Sequence, residues 1–272
     1  MSARERISER RRRRRAQTGD RGRVIYLLPN LITSASLLLG FWSIVMSIDH
    51  RFERAALFIV LAGICDMFDG YVARATRSTS AFGVEYDSIV DMVSFGIAPA
   101  LLVYTWVLAP LGNRAWLIAA LFALCAALRL ARFNVHVNES KRYHGIPSTA
   151  AGGVVASTVW FFGWLGLAPP FSPFMGLGLT IGFAGLAVLM VSAVPYPSWK
   201  MVQITRRHPF TTLVAVVLGL IAILLHHEPL LFAVGVVFVA SGPGLWWLDR
   251  RRGRKGQVSA EAPTREPTGH VG

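Results

Sequence analysis

Cysteine is almost absent from this chain: there are two in 272 residues, Cys65 and Cys125, both inside long apolar runs. That excludes a disulfide framework and a cysteine-built zinc site, and it reads both as packed thiols. Charge is scarce too, with Asp, Glu, Lys and Arg making up 16% of the residues, where a soluble domain carries about a quarter. With 53% hydrophobic residues and no polar stretch long enough to fold alone, a water-soluble globular domain is excluded. No small-residue cleavage pattern follows the first apolar run, so that run is expected to stay as an anchor. Histidines offer no metal cluster. His226 and His227 with Glu228 read as an interfacial turn, and His136 and His144 flank a polar loop without a compelled role.

Acids are scarcer than bases, 15 against 28, leaving a net charge of +13. Such a balance suggests nucleic acid until its distribution is examined. Apolar runs near 31–48, 54–73, 87–109, 114–133, 148–167, 174–194, 210–226 and 229–248 predict an all-α, polytopic transmembrane bundle of about eight spans. With the N-terminus inside, the inner segments hold 25 of the 28 Lys and Arg residues, and Arg51, Arg54 and Arg114 alone fall outside. The positive-inside rule therefore predicts both termini in the cytoplasm. The run Arg10 to Arg15 reads as a topology determinant and contact for anionic lipid, and no nucleic-acid partner is expected.

The expected organisation is a basic disordered tail over 1–20, a six-span membrane core over 21–205, two further helices over 206–252 and a disordered tail over 253–272. Within the core, Gly152 with Ala156, Gly153 with Ser157, and Gly178 with Gly182 are small pairs four apart that allow close helix approach. They suit packing within the bundle, and equally a homodimer interface.

Against this apolar background four aspartates stand out. Asp66 and Asp69 are three apart and Asp87 and Asp91 four apart, so each pair projects from one face of its helix. Each acid costs about 2.5–3.5 kcal/mol at a helix centre in the membrane, and four facing one another repel unless cations intervene. Hard oxygen ligands favour Mg2+ or Mn2+, and a pair of such ions about 3.5–4 Å apart suits phosphoryl transfer. Gly70 would let a nucleotide approach the helix backbone, Arg74 could reach phosphate, and Gly83 would permit a sharp turn into the third span.

From Asp66 the run reads D-x2-D-G-x2-A-R-x8-G-x3-D-x3-D, filled by Asp66, Asp69, Gly70, Ala73, Arg74, Gly83, Asp87 and Asp91. This resembles the signature of the CDP-alcohol phosphotransferase family at every fixed position. The resemblance implies that Asp66, Asp69, Asp87 and Asp91 ligate metal, with Asp91 also the base for the incoming hydroxyl. It further implies a CDP site that includes Gly70, Arg74 and Ser80.

Outside the signature, Pro29 to Thr33, Asp91 to Ala100, Arg129 to Val135, Gly145 to Pro147 and Tyr196 to Lys200 look like the phosphatidylserine synthase branch of that family. The substrates so implied are CDP-diacylglycerol and L-serine, used at the cytoplasmic face of the cell membrane by a multi-pass protein in contact with membrane lipids. A serine zwitterion needs a cation for its carboxylate and an acceptor for its ammonium. Arg129, Arg132 and Lys200 are the candidates for the first, and Glu85 for the second. Inositol phosphate or glycerol phosphate as acceptor would bring a second phosphate and demand more basic residues. A carboxylate-lined cation transporter is the reading from another class, but it would call for midplane acids in paired inverted repeats, which this sequence does not show.

Overall fold

The computed structural model describes residues 29–76, 80–135, 145–194, 196 and 227–260. Among them the secondary structure is helical, without a strand. The helices are α1 (Pro29–Ile48), α2 (Phe52–Thr76), α3 (Ala81–Leu111), α4 (Trp116–Val135), α5 (Ser148–Trp164), α6 (Pro173–Val191) and α7 (His227–Ala260). Six contain a stretch long and apolar enough to cross a membrane: α1, α2, α3, α4, α6, and α7 over Glu228–Trp246. The residues of the fifth expected span form α5, an apolar helix of 17 residues that is not among these six. The expected span 210–226, the expected tail over 1–20 and residues 261–272 of the other lie outside the described residues, whereas 253–260, expected in that second tail, continue helix α7.

Helix α1 opens on Pro29, whose missing N–H costs nothing in a first turn. It closes where His50 takes a left-handed φ of 58°. There Arg51 N–H reaches Met46 O at 2.8 Å and His50 N–H reaches Ser47 O at 3.2 Å, the two bonds of a Schellman turn. The chain reverses at once into α2, and small residues let the two helices lie close. Ser36 Oγ donates to Ala62 O at 3.0 Å and Ser43 Oγ to Ala55 O at 2.9 Å.

Helix α3 is the centre of the bundle, with 61% of its apolar stretch buried against 6–33% for the other spans. It is bent. From Met92 to Ile97 it widens into a π-helical turn, closed by Ala98 N–H on Val93 O. The cause is Pro99, which has no N–H to give and whose ring would meet the carbonyl four residues back. The wider turn drives Phe95 into the core between α2 and α5, where a Cβ on Gly63 would lie 3.7 Å and one on Gly152 3.3 Å from its ring. Helix α1 crosses α3 at Gly40, where a Cβ would come within 2.8 Å of Ser94 Cα.

The other contacts complete the bundle. Helix α4 packs along α6, with Phe122 stacked on Phe183 at 4.5 Å, and α5 packs between α2 and α7, with Phe161 stacked on Phe232 at 4.3 Å. Of the small pairs, Gly152 and Ala156 are buried as expected for packing. No described residue lies within 4 Å of a Cβ placed on Gly178 or Gly182, so this pair brings no described helices together.

Candidate active site

Phe95 sits one helical turn from Asp91 along α3, and Gly63 one turn from Asp66 along α2. The wedge thus sets the spacing of the two helices directly beneath the acids. One carboxylate oxygen each from Asp66, Asp69 and Asp87 lies within 4.8 Å of the others. Asp69 is 5% exposed. Asp91 lies beside this trio, its carboxyl in hydrogen-bond contact with that of Asp66 and within the electrostatic reach of Asp87.

The cluster fits a hard divalent cation. Two Mg–O bonds of about 2.1 Å span up to about 4.2 Å across one ion, so small rotamer changes close the trio on a metal. No His or Cys joins the group among the described residues, which disfavours zinc. Burying several carboxylates without matching positive charge is costly, so the donor set itself calls for a cation.

Hydroxyl and amide groups from four helices hold the acids in place. Thr33 Oγ1 on α1 lies 2.7 Å from Asp69 Oδ2 and donates to it, with Pro29 O as an alternative acceptor at 3.0 Å. Thr149 Oγ1 on α5 reaches Asp66 Oδ2 at 3.5 Å, a long contact. The start of α3 is fixed on both flanks: Tyr86 Oη meets Ser34 Oγ at 2.8 Å, and Asn134 Nδ2 donates to Ser88 Oγ at 3.0 Å. Asp87 lies between these two anchors.

Arg129 is the cation that the fold brings to the acids. From α4 its guanidinium acts electrostatically on both Asp66 and Asp91, and its Nη1 donates to Ser148 Oγ at 2.8 Å. Arg132, also on α4, is exposed, as is Glu85 on α3. Lys200, His136 and His144 lie outside the described residues.

Gly70, Ser80 and Gly83 each have local contacts that the sequence did not suggest. Gly70 faces the guanidinium of exposed Arg74, whose Nη1 lies 3.3 Å from where a Cβ would be, so the gap beside the helix is shared with that arginine. Ser80 is the N-cap of α3, extended at φ −121° and ψ 154°, and its Oγ accepts from Gly83 N–H at 3.0 Å. Gly83 is therefore inside the first turn of α3 rather than at a sharp bend. It leaves room there for Ser80 Oγ and for Asn30 Oδ1, which a Cβ would meet at 3.2 and 3.5 Å.

Sequence reasoning assigned no role to Thr33, Ser34, Tyr86, Ser88, Asn134, Ser148 or Thr149. Thr33 and Asn134 lie inside segments that resemble the phosphatidylserine synthase branch, and Ser148 and Thr149 directly follow another. That adjacency was the available signal.

A family model described as CDP-alcohol phosphatidyltransferase matches residues 26–240 of this chain. The chain is 39% identical over 181 residues to a Helicobacter pylori CDP-diacylglycerol–serine O-phosphatidyltransferase, covering 66% of this chain and 75% of that protein. It is 32% identical over 173 residues to the Bacillus subtilis protein of the same name, covering 64% and 91%. An archaetidylserine synthase from Methanothermobacter thermautotrophicus is 34% identical over 174 residues, covering 62% and 69%.

Proposed function

The chain belongs to the CDP-alcohol phosphatidyltransferase family, and from that premise we propose that it transfers the phosphatidyl group of CDP-diacylglycerol to the hydroxyl of L-serine, giving phosphatidylserine and CMP. The relatives named for serine transfer support the acceptor. The observation that carries the chemistry is the convergence of Asp66, Asp69 and Asp87 from two helices on one point. The test is CMP release from CDP-diacylglycerol by purified protein across a panel of acceptors. Serine should be the fastest. Faster release with inositol phosphate or glycerol phosphate would overturn the serine assignment and leave the phosphotransferase reading standing.

Asp66, Asp69, Asp87 and Asp91 would hold Mg2+ or Mn2+, in the proposal two ions, which neutralise diphosphate charge and polarise the phosphorus under attack. Asp91 takes the proton of the serine hydroxyl as its oxygen bonds to the phosphatidyl phosphorus and the bond to CMP breaks. Arg129 pairs with the serine carboxylate, and of the two described candidate cations, Arg129 and Arg132, it is the one that acts on the acids. Arg132, Lys200 and Glu85 remain further candidates for the acceptor. Arg74 and Gly70 border the CDP phosphates, while Ser80 contributes by capping the helix that carries Asp87.

The chain is a multi-pass membrane protein by its six long apolar helices. We place it in the cell membrane with eight spans, both termini and the acids facing the cytoplasm, following its charge distribution. The membrane core would run over 21–205, with the helices of 206–252 appended and polar tails at 1–20 and 253–272, the second starting within the helical end of α7. Thiol labelling of single cysteines placed in the two tails of intact cells tests the orientation, and labelling from outside would reverse it. A homodimer is compatible with the exposed faces of α1 and α6, and cross-linking in the membrane decides it.

A further inference from the structure

We propose that Ser148 is a positioning residue that fixes the guanidinium of Arg129 for the carboxylate of the acceptor, an inference that rests on the serine-transfer reading above. Ser148 opens α5 and is wholly buried, and its Oγ accepts from Arg129 Nη1 at 2.8 Å. Its own place is fixed by the turn that precedes it. Gly145 N–H bonds to Val194 O at 2.9 Å and Ile146 N–H to Leu189 O at 3.2 Å, pinning the entry to α5 on the end of α6. Gly145 can do this because it takes φ of 83°, and because a Cβ there would run into Met190 O.

The consequence falls on a long side chain pulled two ways. Arg129 lies within the electrostatic reach of Asp66 and Asp91, and Ser148 Oγ accepts from its Nη1. Unrestrained, the guanidinium would settle on those carboxylates and compete with the metal for them. A neutral oxygen accepting from Nη1 restrains the guanidinium without cancelling its charge. An acidic residue at position 148 would anchor Arg129 as firmly, but would consume the charge that an incoming carboxylate needs. A buried hydroxyl is thus the side chain that positions the cation and leaves it cationic.

The test compares serine with serinol, which keeps the hydroxyl and ammonium and lacks the carboxylate. Ser148→Ala should raise the KM for serine about 10-fold, as expected for loss of a contact to a charged group acting at one remove. It should leave KM for serinol and for CDP-diacylglycerol unchanged, and weaken equilibrium binding of radiolabelled serine in parallel. Ser148→Thr, which restores the hydroxyl, should recover serine binding. Arg129→Lys keeps the charge and loses the fork, so it should show the same selectivity, and the double variant should be no worse than Arg129→Lys alone. Unchanged serine KM in Ser148→Ala, equal losses for serine and serinol, or multiplying effects in the double variant would each overturn the proposal. Arg129→Lys with unchanged serine KM would do so without needing the Ser148 variants to fold. A wild-type protein that prefers another acceptor would instead defeat the serine reading itself.

Discussion

Asp66 and Asp91 share a hydrogen-bond contact but come to it from different helices, and that separates two kinds of role for one side-chain type. Asp66 belongs to the converging trio, so Asp66→Asn should lower divalent-cation affinity and abolish transfer. The same holds for Asp69→Asn and Asp87→Asn. Asp91 lies beside the trio, where a base for the acceptor hydroxyl is needed. Asp91→Asn should therefore abolish turnover while binding CDP-diacylglycerol far better than Asp66→Asn does, which filter binding of the labelled nucleotide lipid measures. Equal loss of binding in both would make Asp91 a ligand and nothing more. At Thr33 the expected effect is smaller. Thr33→Val keeps the shape and removes the donor to Asp69, so metal affinity should fall roughly 10-fold, within the range for residues that orient a ligand, and measurably by titration without turnover.

At the scale of the element, α7 shows how a break in a helix is put to use. Pro243 lies inside α7 and cannot donate to Val239 O four residues back. That carbonyl accepts instead from Tyr196 Oη at 3.2 Å. Gly242 makes room for the ring, since a Cβ there would meet Cε1 at 2.6 Å. Tyr196 thus joins α7 to the segment that follows α6. Burial pushes its phenol up to about 12, so the donor persists through the working range. Tyr196→Phe would leave a partly buried carbonyl without this partner and should cost about 1 kcal/mol, read by thermal unfolding in detergent. Because the folded value lies above that of the unfolded chain, the tyrosine's contribution is fully present below about pH 10 and is lost as pH rises toward 12. Tyr196→Phe should lose that segment of the pH dependence, and an unchanged profile would show that the hydroxyl is not the group responsible.

At the scale of the whole molecule, helices and acids were legible in the sequence, while their mutual arrangement was not, and the reason is the solvent. Lipid is as apolar as a protein core, so hydropathy marks a span without marking its inner face. Gly178 and Gly182 have the spacing of a packing motif and meet nothing among the described residues, whereas Gly63, with no small residue four positions away, lies where helices meet. The aspartates escaped this ambiguity because an acid in an apolar helix has few affordable directions to point. Arg129 could be read as one of several basic helix ends, and only the fold shows it beside Asp66 and Asp91. The same electrostatics gives a prediction about the bundle as a unit. Four carboxylates gathered between α2 and α3 with Arg129 as the cation seen beside them oppose the packing that gathers them, so metal should stabilise the fold as well as the reaction. Chelation should stop transfer and lower the unfolding temperature, and saturating Mg2+ or Mn2+ at about 100 times the Kd should return about 2.7 kcal/mol. Asp87→Asn sharpens the test, because it weakens both the repulsion and the metal site. Without metal it should be more stable than the unmodified chain, and with metal less so. If chelation left both unfolding temperatures unchanged, the acids would not be held together by a cation.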